Sequence, residues 1–355
     1  MEQICQCLRL PLEFFTTGRR NYSGAIYWRT QSSATAIARK AAERRIVWLQ
    51  DIVGYLREHI DFPKTNFPAM DIPADPLQLD SFEIEQIALS LREFWGLSDG
   101  PIPSVMTLLE NNGVFISRDD LYVPALDGLS RWSMEDNSPF CLIASGKSSA
   151  VRTTMDLLHE LGHLILHRHL DQRYVSVPMV HKLIEAQAFQ FAGAFALPEE
   201  SFAGDLYSLS LDAFVRLKEK WRVSVSAMIK RCESLELTSE GQIEKLWRSL
   251  SAKGWRTDEP LDDQIPIENP HLVARAIELI ISEGLVKSDS LPSALALPAL
   301  DIEDVASLRR GTLGGSEDNL FLLPPPPLFE NPTDGPSQDR PKSKVVAFTP
   351  RKPSR

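Results

Sequence analysis

Apolar positions recur at helical spacing over residues 32–60, where Ala38, Ala41, Ala42, Ile46, Leu49, Ile52, Val53 and Leu56 share one side. This predicts one long amphipathic helix. Pro63, Pro68, Pro73 and Pro76 follow and read as an extended connector. A second amphipathic helix is expected over 81–95, stopped by Gly96, and a third over 105–112, ending at Gly113. Three short stretches, 114–117, 131–133 and 140–144, read as strands. Together they predict a small antiparallel sheet, whose edge strand offers an extended peptide a place to add. Leu157, Leu158, Leu161, Leu164 and Ile165 then restore the helical spacing, and another helical segment runs over 185–192. Further amphipathic helices are expected over 211–220, 225–235 (with Ser224 as its cap), 239–253 and 270–284. From Gly311 the pattern stops. The prolines at 324–327, 332, 336, 341, 350 and 353 cannot build a packed core, so 311–355 reads as disordered. The class is α+β, mainly helical.

Composition narrows the possibilities. A chain of 355 residues with 43% hydrophobic content can bury a sizeable core. No apolar run reaches the ~18 residues of a membrane helix, and no secretory leader is visible at the N-terminus. The four cysteines lack C-x-x-C spacing, which fits a reducing cytoplasm and removes a cysteine zinc ribbon. A formal net charge of -10 argues against nonspecific nucleic-acid binding over the whole surface. The stretch 339–355 is the exception, with six Lys or Arg against one Asp, and it reads as a solvated tail.

The chemistry concentrates in His159-Glu160-Leu161-Gly162-His163. Two imidazoles four apart on a helix project from one face and can reach one metal ion. A Glu between them can take a proton from a water that the ion activates. Gly162 costs roughly 1 kcal/mol in a helix interior relative to Ala, which points to close approach of another backbone. A zinc site of this kind needs a third protein ligand. His169 lies six residues after His163, but the pattern that uses such a His needs Gly at 166, and this chain has Leu166. His167 is carried ~6 Å further along the helix axis and points past the metal. Glu185 opens the 185–192 segment, and the small Ala188 and Ala192 would let that helix return antiparallel and close. Glu185 is therefore favoured, and His167 and His169 read as a polar helix end.

These residues resemble the ImmA/IrrE-like metallopeptidases, which carry H-E-L-G-H-x-x-x-H followed by E-x-x-A-n-x-F-A-x-x-L-L-x-P. The chain supplies the first pattern from His159 to His167. It supplies Glu185, Ala188, Phe191, Ala192, Phe195, Ala196 and Pro198 in the register of the second. Phe189 replaces the usual Asn, and Phe195-Ala196 the usual pair of Leu. The resemblance implies a zincin-like core, with His159, His163 and Glu185 as Zn2+ ligands and Glu160 as catalytic base. It also implies a protein substrate of the helix-turn-helix repressor kind. Tyr27-Trp28-Arg29, 32–35 and 42–44 resemble the segment that joins a helix-turn-helix domain to the peptidase in long members.

On that basis residues 1–15 are expected to be the end of such a domain, and 16–80 a linker with the long helix. Residues 81–205 are expected to form the metallopeptidase domain, 206–310 a helical accessory domain and 311–355 the tail. The expected function is that of a cytoplasmic zinc endopeptidase cleaving a DNA-binding repressor or antitoxin-like regulator. The alternatives are a module that binds a repressor without cutting it, and a DNA-binding regulator. A three-helix DNA reader needs roughly 60 residues, so no sequence-specific nucleic-acid binding is expected, nor any membrane contact. Tyr174, His181 and Tyr207 are candidates for an additional oxyanion donor.

Overall fold

A computed structural model of the chain describes Cys5 and residues 10–17, 22–30, 36–119, 126–146 and 149–314. A short helix α1 (Glu13–Thr16) precedes strand β1 (Ile26–Thr30) and the long helix α2 (Ala36–Leu56). The sequence places this helix over 32–60; in the structure it ends at Leu56, and 57–59 turn away. The proline connector follows and closes in a 3-10 turn, Pro76–Gln78, where Asp75 accepts from the Leu77 amide. Helix α3 (Ser81–Phe94) starts on a capping box between Asp80 and Glu83, and α4 (Val105–Asn111) on Ser104.

Strands β2 (Phe115–Asp119), β3 (Leu126–Ser133) and β4 (Ser138–Ala144) come next. Helix α5 (Ala150–Leu166) carries the H-E-x-x-H residues. It is followed by α6 (Gln172–Val175), α7 (Pro178–Ala196) and α8 (Glu199–Asp205). Helices α9 (Leu211–Trp221), α10 (Val225–Ser234), α11 (Glu240–Ala252), α12 (Leu272–Ser282), α13 (Leu291–Leu295) and α14 (Ala299–Val305) complete the described residues. Ser224 caps α10 as expected. The tail lies outside the described residues apart from its first few positions.

The sheet differs from the expected one in two respects. It has four strands in the order β1-β3-β4-β2, and β2 pairs with β4 in parallel. The β3–β4 hairpin is antiparallel, and β3 lies on the far side of β4 from β2, so β2 must run alongside β4. The extra strand, β1, lies in the stretch read as a joining segment and pairs antiparallel with β3, setting Tyr27 opposite Ser130. β3 begins five residues earlier than the apolar pattern suggested, because its first half contains Asp127 and Gly128, poor strand formers by composition. The edges of the sheet are therefore β1 and β2. β3 is paired on both sides, and strand addition beside it is blocked by the chain's own β1.

Both faces of the sheet are covered, which explains the near-continuous apolar run in β4. Ile116, Trp132, Cys141 and Ile143 pack with α5 and with Phe191 and Phe195 of α7 in one cluster. Phe115, Leu129, Phe140 and Leu142 face a second cluster built on α2 and on α12 and α14. The helices of 206–310 divide between the two: α9, α10 and α11 pack with the first cluster, α12 and α14 with the second. Helix α5 is buried all round, with 14 of its 17 residues inside.

A buried ionic knot anchors its start. Lys218 of α9 lies 3.0 Å from Glu259 and 2.7 Å from Asp262. Asp262 also accepts from Ser149, the residue before α5, and Glu259 accepts from the amides of Val225 and Ser226 that open α10.

Candidate metal centre

His159 and His163 stand on one face of α5, and α7 packs directly against that helix. The approach is close because Gly162 has no side chain. A Cβ there would lie 3.1 Å from Ala188 Cα and 3.1 Å from the Ala188 carbonyl oxygen. The expected backbone contact at Gly162 is therefore met, by a small residue of α7. Glu185, one turn before Ala188 on α7, is brought over the histidine pair. His163 Nε2 is 3.1 Å from His159 Nε2 and 3.1 Å from Glu185 Oε1, and His159 Nε2 is 3.3 Å from Glu185 Oε2.

A tetrahedral ion with N and O ligands at about 2.0–2.1 Å sets its ligand atoms about 3.3 Å apart. The three side chains are spaced to hold such an ion, and they are the one cluster of that kind among the described residues. Burial alone would push the Glu185 carboxyl up, but its hydrogen bonds to the two imidazoles hold it far below the usual carboxylate range. It is an anion here, as a metal ligand must be.

Because the helix contact sets this spacing, Gly162→Val should force α5 and α7 apart. Overpacking of this kind costs about 1–3 kcal/mol. The expected result is a lower melting temperature in chelator together with weaker metal binding. A melting temperature equal to wild type would show that the helices do not depend on this contact.

Glu160 is fully buried and lies against β3. A Cβ on Gly128 would come within 3.2 Å of its Oε1, so β3 makes room for the carboxylate by having no side chain at that position. The sequence reading of β3 missed this Gly.

The other candidates fall elsewhere. His169 is exposed, and its Nε2 lies 3.3 Å from the Ala74 carbonyl. His167 is not a metal ligand in this geometry, nor does it belong to a polar helix end. It is wholly buried, with Nδ1 3.1 Å from His163 Nδ1 and Nε2 3.1 Å from Gln187 Oε1. Burial, above all, holds the His167 pKa well below the ordinary value, which favours the neutral imidazole. Of the three oxyanion candidates, the Tyr174 hydroxyl donates to Asp75 and Tyr207 is 63% exposed. His181 lies one turn before Glu185 on α7.

Three further side chains complete the surroundings, and none was singled out for this role from sequence. Tyr27 of β1 stacks on His163 with ring centroids 4.9 Å apart, and its hydroxyl donates to the His167 carbonyl. Phe189 meets His159 edge-on at 4.3 Å and remains 45% exposed. Gln187, buried in α7, donates from Nε2 to the carbonyls of Pro76 and Leu79. A polar residue two positions after Glu185, flanked by Ala186 and Ala188, was the available signal for Gln187. Tyr27 gave none, because its strand partner is remote in sequence.

No curated protein matches the chain. The family model described as IrrE N-terminal-like domain, of the M78 peptidases, matches residues 110–233. That span runs from the end of α4 through β2–β4 and α5–α10, and so includes His159, Glu160, His163 and Glu185. Over residues 110–233 the chain is similar to the ImmA/IrrE peptidases through this IrrE N-terminal-like match.

Proposed function

We propose that this chain is a zinc-dependent endopeptidase whose substrate is a helix-turn-helix repressor. The observation that carries the reading is the His159–His163–Glu185 triangle, with Glu160 one residue from the first ligand and aimed at the sheet. A purely structural site has no use for that fourth group.

His159, His163 and Glu185 would hold the ion. Zinc supplies Lewis-acid chemistry: it makes water acidic near neutral pH and polarises a peptide carbonyl. Glu160 takes the proton of the attacking water as the new C–O bond forms. It then returns the proton to the amide nitrogen as the C–N bond breaks. Burial of Glu160 between α5 and β3 fixes its position for both transfers. Substrate reaches the centre from the side of Glu185, which is 18% exposed, with Phe189 as an apolar wall. Co-expression with a candidate repressor, followed by mass spectrometry of the fragments, tests the activity. A repressor left intact by wild-type protein loaded with zinc would count against this substrate class.

Among the described residues no helix is long and apolar enough to cross a membrane. For nucleic acid, the proposal is that the chain acts on a repressor and does not itself read a DNA sequence. The net charge of -10 gives no general attraction to phosphates. In a mobility-shift assay at about 150 mM salt, where surface charges are screened beyond ~8 Å, no discrete complex is expected with the DNA upstream of its own gene. A complex that survives excess nonspecific competitor, and persists without residues 311–355, would reveal a DNA reader.

A further inference from the structure

We infer that Gln187 and His167 are positioning residues: they form a hydrogen-bonded relay that fixes which nitrogen of His163 faces the metal. The inference rests on the reading of His159, His163 and Glu185 as ligands. It starts from the proline connector.

Gln187 Nε2 lies 2.7 Å from the Pro76 carbonyl oxygen and 3.1 Å from that of Leu79. Carbonyl oxygens only accept, so the amide nitrogen must face them, and both its protons are used. The Gln187 oxygen is thereby turned toward His167 Nε2, 3.1 Å away. That oxygen also only accepts, so His167 Nε2 must carry a proton. His167 Nδ1 and His163 Nδ1 are 3.1 Å apart, and two ring nitrogens at that distance share a single proton. If the proton were on His167, that ring would be an imidazolium with no exposed surface, a costly burial of charge. The proton therefore belongs to His163 Nδ1. Where a bound ion replaces the His163 Nε2–Glu185 hydrogen bond, the Nε2 lone pair faces the ion and Nδ1 keeps the proton it donates to His167.

Each link is buried, so water does not compete for it. The anchor is rigid as well. The two carbonyls belong to the 3-10 turn at Pro76 and to the residue after it, and the Asp75 carboxylate that caps this turn also accepts from the Tyr174 hydroxyl. The connector therefore sets the tautomer of a ligand on α5 through a side chain on α7.

Zinc dissociation constants of the full chain, measured by chelator competition, test the relay. His167→Leu should weaken zinc binding by about 10- to 100-fold, the usual effect of removing a group that orients a metal ligand. His167→Asn places an oxygen where Nδ1 stands and should recover most of that loss. Gln187→Met keeps the volume and removes the anchor, and should weaken binding in the same direction. In zinc-loaded wild type, nitrogen-15 NMR should find a slowly exchanging proton on His163 Nδ1, absent in His167→Leu.

Unchanged affinity in His167→Leu overturns the relay. If that variant does not fold, unchanged affinity in Gln187→Met overturns it. Equal losses in His167→Leu and His167→Asn, matched by equal falls of the melting temperature in chelator, would mark a packing role and also overturn it. Wild-type affinity in Glu185→Ala would instead remove the ligand assignment beneath it.

Discussion

Glu160→Gln is expected to lower the rate of repressor cleavage by about 10²-fold or more, the lower end of general-base contributions, with zinc content unchanged. The substitution keeps the length and shape of the side chain, so the space left by Gly128 on β3 stays filled. It leaves the triangle of His159, His163 and Glu185 intact. What it removes is a carboxylate able to accept a proton and give it back. Cleavage rates of purified protein, read beside elemental analysis for zinc, separate the two properties. Equal rates for wild type and variant would reject Glu160 as the base while leaving the metal centre standing. Loss of both activity and zinc would instead show that Glu160 helps to hold the ion.

Glu185→Ala is expected to abolish stoichiometric zinc binding. Removing a group that only orients a ligand costs about 10- to 100-fold in affinity; loss of one of three protein ligands should cost more, on the order of 10³-fold. Glu185 is also the only anionic member of the cluster, and its carboxylate makes two of the three short edges of the triangle. One zinc per chain is expected in wild type purified without added metal. His169→Ala should leave that content unchanged, since its ring is engaged with the Ala74 carbonyl. If His169→Ala lost the metal and Glu185→Ala kept it, the third ligand would be His169, and the packing of α7 on α5 would need another purpose.

The candidate metal centre was legible from sequence to the extent that it is local. The spacing of His159 and His163 places two imidazoles on one helix face whatever surrounds the helix, and Gly162 between them announced a close neighbour that proved to be Ala188. Glu185 was reachable because small residues at helical spacing behind it predict a tightly packed second helix, and because its motif resembled a family pattern. The amphipathic helices were legible for the same reason, since helical periodicity is a property of consecutive residues.

What only the tertiary structure decided depends on partners far away in the chain. Strand β1 is rich in strand formers (Ile26, Tyr27, Trp28, Thr30), but its partner is not local: it closes the edge of β3 and lays Tyr27 on His163 through hydrogen bonds to a remote segment. The parallel pairing of β2 and β4 follows from the side on which β3 lies, which no local pattern encodes. His167 illustrates the limit most clearly. Helix geometry carries it past the His159–His163–Glu185 cluster, but could not tell an exposed helix end from a buried one. Burial, supplied by β1, α7 and the proline connector, turns the same imidazole from a solvated surface group into a neutral link between Gln187 and His163. A side chain's position along a helix is set by its neighbours in sequence. Its protonation and its hydrogen-bond partners are set by whatever excludes water from it.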